Sequence, residues 1–388
     1  MNQRSEAHAE QNWLRAFTFM LFGNSVLVVS FFPLFYSHIG FSSSQIGLLY
    51  AIGPLISIFS NMFWSIASDR YKTIKKILII LTIGQLIMAL VLYTASSFAV
   101  VFVVISFLYF FYYPAFPLTD TLSIVTAHKY GRNFTVIRIF GSIGYAFFAL
   151  TVGYILTNIG TTWTIAICAA ITFTALLFAF KIKDQPGSVN KMDLSGLWGI
   201  IRSKEVLLFF IFVFCLALGH RMNEAFLTIA LHDLGSSEGI VGWALVMSSL
   251  SEIPVFFLLS KYGDKFKELP LIAFASFMYA VRFLLMSLTD SPIGIVFIQG
   301  LHSLTFGIFY VTAVRYLSRI IPPDFRATGM ALYTIAWSSA SGLLSGTFGG
   351  IIYEHVGRSD FYLVAVAFSI VAFIGFLMKH LFIKETIS

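Results

Sequence analysis

Apolar residues in this chain come in long unbroken runs, not in the short alternations or one-sided stripes of a water-soluble fold. A helix rises about 1.5 Å per residue, so about 20 apolar residues in a row reach across a hydrocarbon core. Runs of that length recur at roughly 13–37, 44–66, 76–95, 98–124, 134–157, 161–181, 205–231, 237–259, 269–289, 292–318, 327–353 and 360–382. Each predicts a spanning helix. Pro33, Pro54, Pro114, Pro117 and Pro254 fall inside them, and neighbouring helices accommodate such interruptions in lipid. The first run, Trp13 to Tyr36, is too long for a signal core and has no small-residue cleavage site after it, so it is expected to remain as a span.

The polar residues between the runs are unevenly signed. With the N-terminus inside, 21 of the 25 Lys and Arg residues fall on the cytoplasmic side. Arg358 is the one in an outer loop, and Arg138, Arg221 and Arg282 lie within runs. That asymmetry predicts both termini in the cytoplasm, for a protein of the plasma membrane. The longest polar connection, 182–204, divides the chain into an expected N-terminal six-helix bundle (1–181), a cytoplasmic linker and a C-terminal six-helix bundle (205–388). The halves look repeated. Asp69-Arg70 follows the second run and Asp264-Lys265 the eighth, 195 residues later, and Arg132 and Arg326 open the fifth and eleventh. The expected fold class is an all-α membrane protein, with twelve transmembrane helices in two pseudo-symmetric six-helix bundles. Repeated halves of this kind characterise transporters.

Composition narrows the choice. Of 388 residues, 58% are hydrophobic and 11% charged, whereas a soluble domain carries roughly a quarter charged. A soluble enzyme and a disordered chain are both excluded. The net charge of +7 is spread in short clusters between apolar runs, which argues against nucleic acid. Cys168 and Cys215 lie inside runs and offer neither a disulfide framework nor metal spacing. No glycine-rich phosphate loop points to ATP, no cofactor is expected, and no nucleophile–base set supports an intramembrane enzyme. The expected partners are a small-molecule substrate, protons and the lipid bilayer, with the chain working as a monomer.

Charge inside the runs is the most informative feature. A charged side chain at mid-membrane costs roughly 2.5–3.5 kcal/mol on insertion scales, yet the runs hold Asp120, Arg138, Arg221, Glu224, Glu252 and Arg282, with His220 and His302 beside them. Such groups are expected to face one another along a substrate and proton pathway, or else to lock helices together. Asp120 and Arg138 lie at equal depth on adjacent spans, as an ion pair requires. Glu252, Arg282, Gln299 and His302 form a second constellation: Arg282 and His302 fall near the midplane, and Gln299 and His302 share one helix face. His220 and Glu224 share a face, and Arg221 can pair with Glu224. A zinc site is disfavoured there, because the His-Glu-x-x-His order is absent. Asn24 either lines the pathway or makes a helix–helix hydrogen bond.

Two six-span halves, a basic central loop and the Asp69-Arg70 and Asp264-Lys265 signatures resemble the major facilitator superfamily. In the first loop, Ser65 and Lys72 stand where that superfamily has glycines. The run Arg138-Ile139-Phe140-Gly141-Ser142-Ile143-Gly144-Tyr145-Ala146 with Asp120 looks like the lactose permease and phenylpropionate permease branches. The run Gln299-Gly300-Leu301-His302-Ser303-Leu304-Thr305-Phe306 with Glu252 is similar to the phenylpropionate branch. This resemblance implies that Asp120 and Arg138 hold substrate and that Tyr145 stacks on it; His220, Gln299 and Asn24 are further substrate-site candidates. It implies proton coupling through Glu252, Arg282 and His302, with Glu224 as a further candidate. Thr305 occupies the place of the family's proton-carrying glutamate, which leaves Glu252 or Glu224 to take the proton. Asp69, Arg70, Asp264 and Lys265 become conformational-switch loops. The implied function is secondary active, proton-coupled uptake of a sugar or an aromatic acid such as phenylpropionate by alternating access, the alternative being a proton-driven exporter.

Overall fold

A computed structural model of the chain describes residues 3–130, 135–185, 203–321 and 326–382. At 3–9, 135–136, 260, 264, 326–328, 331 and 382 it describes the backbone alone. Arg132 lies outside the described residues. Regular structure among them is helical, without strands. We number the α-helices in order: α1 Gln3–Val26, α2 Phe32–His38, α3 Ser43–Tyr71, α4 Lys75–Thr94, α5 Phe98–Tyr112, α6 Ala115–Lys129, α7 Thr135–Ile159, α8 Thr164–Lys181, α9 Lys204–Asp233, α10 Glu238–Tyr262, α11 Glu268–Leu288, α12 Pro292–Gln299, α13 Ile308–Ile320, α14 Arg326–Thr334 and α15 Ser341–Phe382. Wide π turns at Leu27–Phe31, Ser303–Gly307 and Ile335–Ala340 join α1 to α2, precede α13 and join α14 to α15.

Eleven stretches among the described residues are long and apolar enough to cross a membrane, where the sequence predicts twelve spans. The difference lies at the C-terminal end. Leu332–Leu381 is one 50-residue helical stretch, more than twice the roughly 20 residues a crossing needs. Its backbone leaves helical geometry at Gly357, with φ 79° and ψ 178°. The outside of the protein is apolar, with Phe59, Phe257 and Leu288 all more than 60% exposed, while polar Ser60, Thr119 and Gln299 are fully buried. That inversion is what a hydrocarbon solvent selects.

The fold divides into two compact units, Met1–Asn190 with Ser237–Gly242 and Lys191–Ser236 with Trp243–Ser388. In the first, α1 packs along α7 and α8. Gly144 brings α7 onto the backbone of α1; a Cβ there would lie 2.2 Å from the Phe19 carbonyl oxygen. In the second, α9 and α11 both pack along α15. The Ser345 hydroxyl donates across helices to the Leu218 carbonyl at 2.8 Å, and the Tyr362 hydroxyl to Asn223 Oδ1 at 3.3 Å.

Each unit also ties its helix ends with a carboxylate. Glu10, its side chain 1% exposed, accepts from the Tyr130 hydroxyl at 2.5 Å and lies 3.4 Å from Lys129 Nζ and 3.9 Å from Lys183 Nζ. The bond to Glu10 holds the Tyr130 phenol proton more tightly than usual. Glu205 accepts from the Tyr316 hydroxyl at 2.7 Å and lies 3.5 Å from Lys379 Nζ. Glu10 and Glu205 are 195 residues apart, the offset of the Asp69 and Asp264 motifs. Asp184 caps α4 from a distance in sequence: its carboxylate accepts from the backbone N–H groups of Ile74 and Lys75 at 3.1 and 2.9 Å and from the Thr73 hydroxyl. A carboxylate there satisfies otherwise orphaned amides and meets the positive end of the helix dipole.

Candidate functional site

The first unit holds the Asp120–Arg138 pair. Arg138 Nε lies 3.5 Å from Asp120 Oδ1, and the two side chains are 35% and 39% exposed, so the pair is half-open. The guanidinium sits 4.1 Å from the centroid of the Phe22 ring on α1, close enough for a cation–π contribution. Gly141 makes room for this arrangement, because a Cβ there would press on Phe22 and on Arg138 Nη1. Tyr145 lies half-buried two turns along α7. Asn24 is elsewhere: it is 3% exposed and accepts from the Cys168 thiol of α8 at 3.1 Å. This is a helix–helix hydrogen bond of the kind named above.

The second unit gathers Glu252, Arg282, Gln299 and His302 into one network. Arg282 on α11 is 1% exposed. Its Nη1 donates to His302 Nδ1 at 2.8 Å and to the Thr305 hydroxyl at 3.3 Å, and its Nη2 donates to Gln299 Oε1. On the far side of the imidazole, His302 Nε2 lies 2.9 Å from Glu252 Oε1 on α10. The sequence groups Arg282, Glu252 and His302; the fold sets His302 between the other two. The α12–α13 connection makes this possible: regular α-helix stops at Gln299, and the π turn that begins at Ser303 presents His302 and Thr305 to the same guanidinium. Gln299 is fixed in turn by the Ser248 hydroxyl, which donates to its Oε1 at 3.2 Å.

The third group flanks this network. Arg221 pairs with Glu224, as its spacing predicts, and also donates from Nε to the Trp337 carbonyl at 3.1 Å and from Nη2 to the Ser338 hydroxyl at 2.7 Å. Both acceptors lie in the π turn Ile335–Ala340. His220 turns the other way, with its Nδ1 3.1 Å from the Tyr279 hydroxyl and its ring stacked 5.4 Å from Phe306. His220 and Glu224, which share a face by spacing, are thus engaged with different partners.

Of the loop residues, Lys72 has φ 52°, in the left-handed region. A lysine therefore stands in a conformation that suits glycine, at a position where the resembling family has one. Asp69 Oδ1 is buried without a hydrogen-bond partner among the described residues, and Arg70 is exposed. The side chain of Asp264 lies outside the described residues; Lys265 is exposed beside the Tyr262 ring. Arg315 and Arg319 lie 3.3 and 3.4 Å from the Glu268 carboxylate.

Sequence reasoning missed Tyr279, Ser248, Trp337 and Ser338 as partners of these charges. Hydroxyls and tryptophans inside apolar runs are common and cheap, so nothing marks them in one sequence. Glu10 and Glu205 were findable, because their separation equals the repeat offset already seen in the loops.

Comparison with known proteins places this geometry. Residues 12–364 match the MFS_1 like family. The chain is 26% identical over 366 residues to the "Uncharacterized transporter YwbF" of Bacillus subtilis (strain 168), covering 93% of this chain and 89% of that protein. It is 25% identical over 357 residues to the "Maltose permease" of Geobacillus stearothermophilus, covering 89% and 87%. It is 21% identical over 361 residues to the "Probable 3-phenylpropionic acid transporter" of Escherichia coli (strain K12), covering 91% and 94%. The crystal structure of nucleoside transporter NupG superposes with a TM-score of 0.83 at 19% identity, covering 96% and 99%, a likeness of fold. These are transporters, not enzymes. An all-helical fold, charged networks within apolar helices and a match across nearly the whole chain make this integral membrane protein a member of the MFS_1 like family, within the major facilitator superfamily.

Proposed function

We propose that the chain is a proton-coupled secondary active transporter that takes up a small organic solute by alternating access. The observation that carries this reading is the Glu252–His302–Arg282 chain. It is a carboxylate linked through one imidazole to a fully buried guanidinium. Intramembrane charges kept at such cost are the usual parts of substrate and proton pathways. In this reading Asp120, Arg138 and Tyr145 contact the solute, and Asn24, His220 and Gln299 are further substrate-binding candidates. Glu252, which meets an imidazole, takes the proton in preference to Glu224, whose carboxylate is engaged directly by Arg221. The solute class is a sugar or an aromatic acid, in keeping with the maltose permease and phenylpropionic acid transporter among its relatives.

We place the protein in the plasma membrane with both termini cytoplasmic. The stretch 332–381 then crosses twice, turning at Gly357, which gives twelve spans in bundles 1–181 and 205–388 joined by 182–204. Asp69, Arg70, Asp264 and Lys265 act in the loops that switch between states.

The test is uptake into proteoliposomes under an imposed pH gradient, with sugars and aryl carboxylates as solutes. The wild type is expected to accumulate one class, and Glu252→Gln to lose accumulation while keeping solute exchange. Full gradient-driven accumulation by Glu252→Gln removes Glu252 from the proton path. Outward-directed flux makes the protein an exporter.

A further inference from the structure

The network around His302 fixes more than the presence of a proton site. Arginine offers N–H donors and no acceptor. Arg282 Nη1 at 2.8 Å from His302 Nδ1 therefore needs a lone pair on that nitrogen. A neutral ring with a free Nδ1 carries its proton on Nε2, and Nε2 is the nitrogen 2.9 Å from Glu252 Oε1. The two bonds agree on one tautomer. A second proton on the ring would have to enter at Nδ1, where it would meet the Arg282 N–H head-on and set two cations against each other. A proton on Glu252 breaks nothing, since Oε1 still accepts from Nε2–H while Oε2 carries the added hydrogen.

Three helices present titratable or charged groups to the ring. From α11 the ring faces Arg282; from α10, Glu252; from α9, His220 at 5.9 Å between ring centroids, with Glu224 acting on it from the same helix. Phe306 stacks on it at 5.2 Å without charge. Glu224 is the other acid in this set, and Arg221 pairs with it.

We infer that Arg282 is a positioning residue that holds His302 neutral in its Nε2–H tautomer, so that the proton taken up by this network goes to Glu252 and not to the histidine. The inference rests on the proton-coupled reading above and assigns the parts within it. Gln299 supports the arrangement by holding the second guanidinium nitrogen, which keeps Arg282 aimed at Nδ1.

The experiment is nitrogen-15 NMR of histidine-labelled full-length protein in bilayers, with His302→Gln identifying the His302 signals. The expected spectrum shows an unprotonated Nδ1 and a protonated Nε2, unchanged between about pH 5.5 and 8, the interval in which an ordinary imidazole titrates. In Arg282→Met the same ring is expected to titrate within that interval. A wild-type His302 that becomes imidazolium in that interval, or that carries its proton on Nδ1, overturns the inference, and the wild-type spectrum decides this even where Arg282→Met does not fold. A titrating His302 alongside normal coupled uptake removes this assignment alone. Uptake that ignores the pH gradient in the wild type removes the proton-coupled reading instead, whatever the tautomer.

Discussion

Gly144→Ala is the substitution whose cost can be worked most directly from the packing. A Cβ at 144 would lie 2.2 Å from the Phe19 carbonyl oxygen and 2.9 Å from the Phe19 Cα and carbonyl carbon. Real Cβ contacts essentially never fall below 3.0 Å, so α1 and α7 must separate by most of an ångström along their shared face. The obstacle is backbone, which has no rotamer to give. Inserting a methyl group into such a contact costs typically 1–3 kcal/mol, and here the upper end applies. Alanine in a helix recovers about 1 kcal/mol relative to glycine, leaving a net loss of about 2 kcal/mol. Gly349→Ala is the matched control. Its Cβ would meet Phe361, Met222 and Phe226 side chains at 3.5–3.6 Å, ordinary contact, so it should keep the gain of about 1 kcal/mol. The two variants should differ by about 3 kcal/mol, or about 6 °C at roughly 2 °C per kcal/mol for a long chain. The assay is the loss of the monodisperse peak in detergent after a series of heat steps, at one fixed heating rate because such unfolding is irreversible. Should Gly144→Ala melt at or above Gly349→Ala, the close approach of α1 to α7 through this glycine is wrong.

Three further outcomes are expected. Arg138→Ala should weaken solute binding by about tenfold or more, by removing a charged donor and leaving Asp120 without its counter-ion; unchanged affinity in calorimetric titration would assign the pair to structure alone. Asp184→Ala should lower stability by about 1–2 kcal/mol, the usual loss for a helix cap, and Asp184→Asn should recover part of it, read as melting temperature. Glu10→Ala should destabilise by about 1–3 kcal/mol, because it leaves Tyr130 and two lysines without their shared acceptor, whereas Glu10→Ala with no change in heat resistance would make that cluster incidental.

The apolar runs by themselves determined most of the architecture. A bilayer demands about 20 apolar residues per crossing and internally satisfied backbone, so membrane-length helices and the helical class follow from run length with little help from packing. The same economy made the charged candidates legible, because nothing in lipid tolerates Arg282, Glu252 or Asp120 without a partner. The C-terminal stretch was read less clearly: the two runs there join into one helical stretch, and only the backbone at Gly357 marks a break. Partner choice was beyond the sequence. That His302 sits between Arg282 and Glu252, that His220 turns to Tyr279 while Arg221 takes Glu224 and the Trp337 carbonyl, and that Asn24 meets Cys168 all depend on which helix faces which. Periodicity fixes the face a residue occupies on its own helix, but the rotation of one helix against the next is set by glycines, π turns and side-chain packing that act only once the chain is folded.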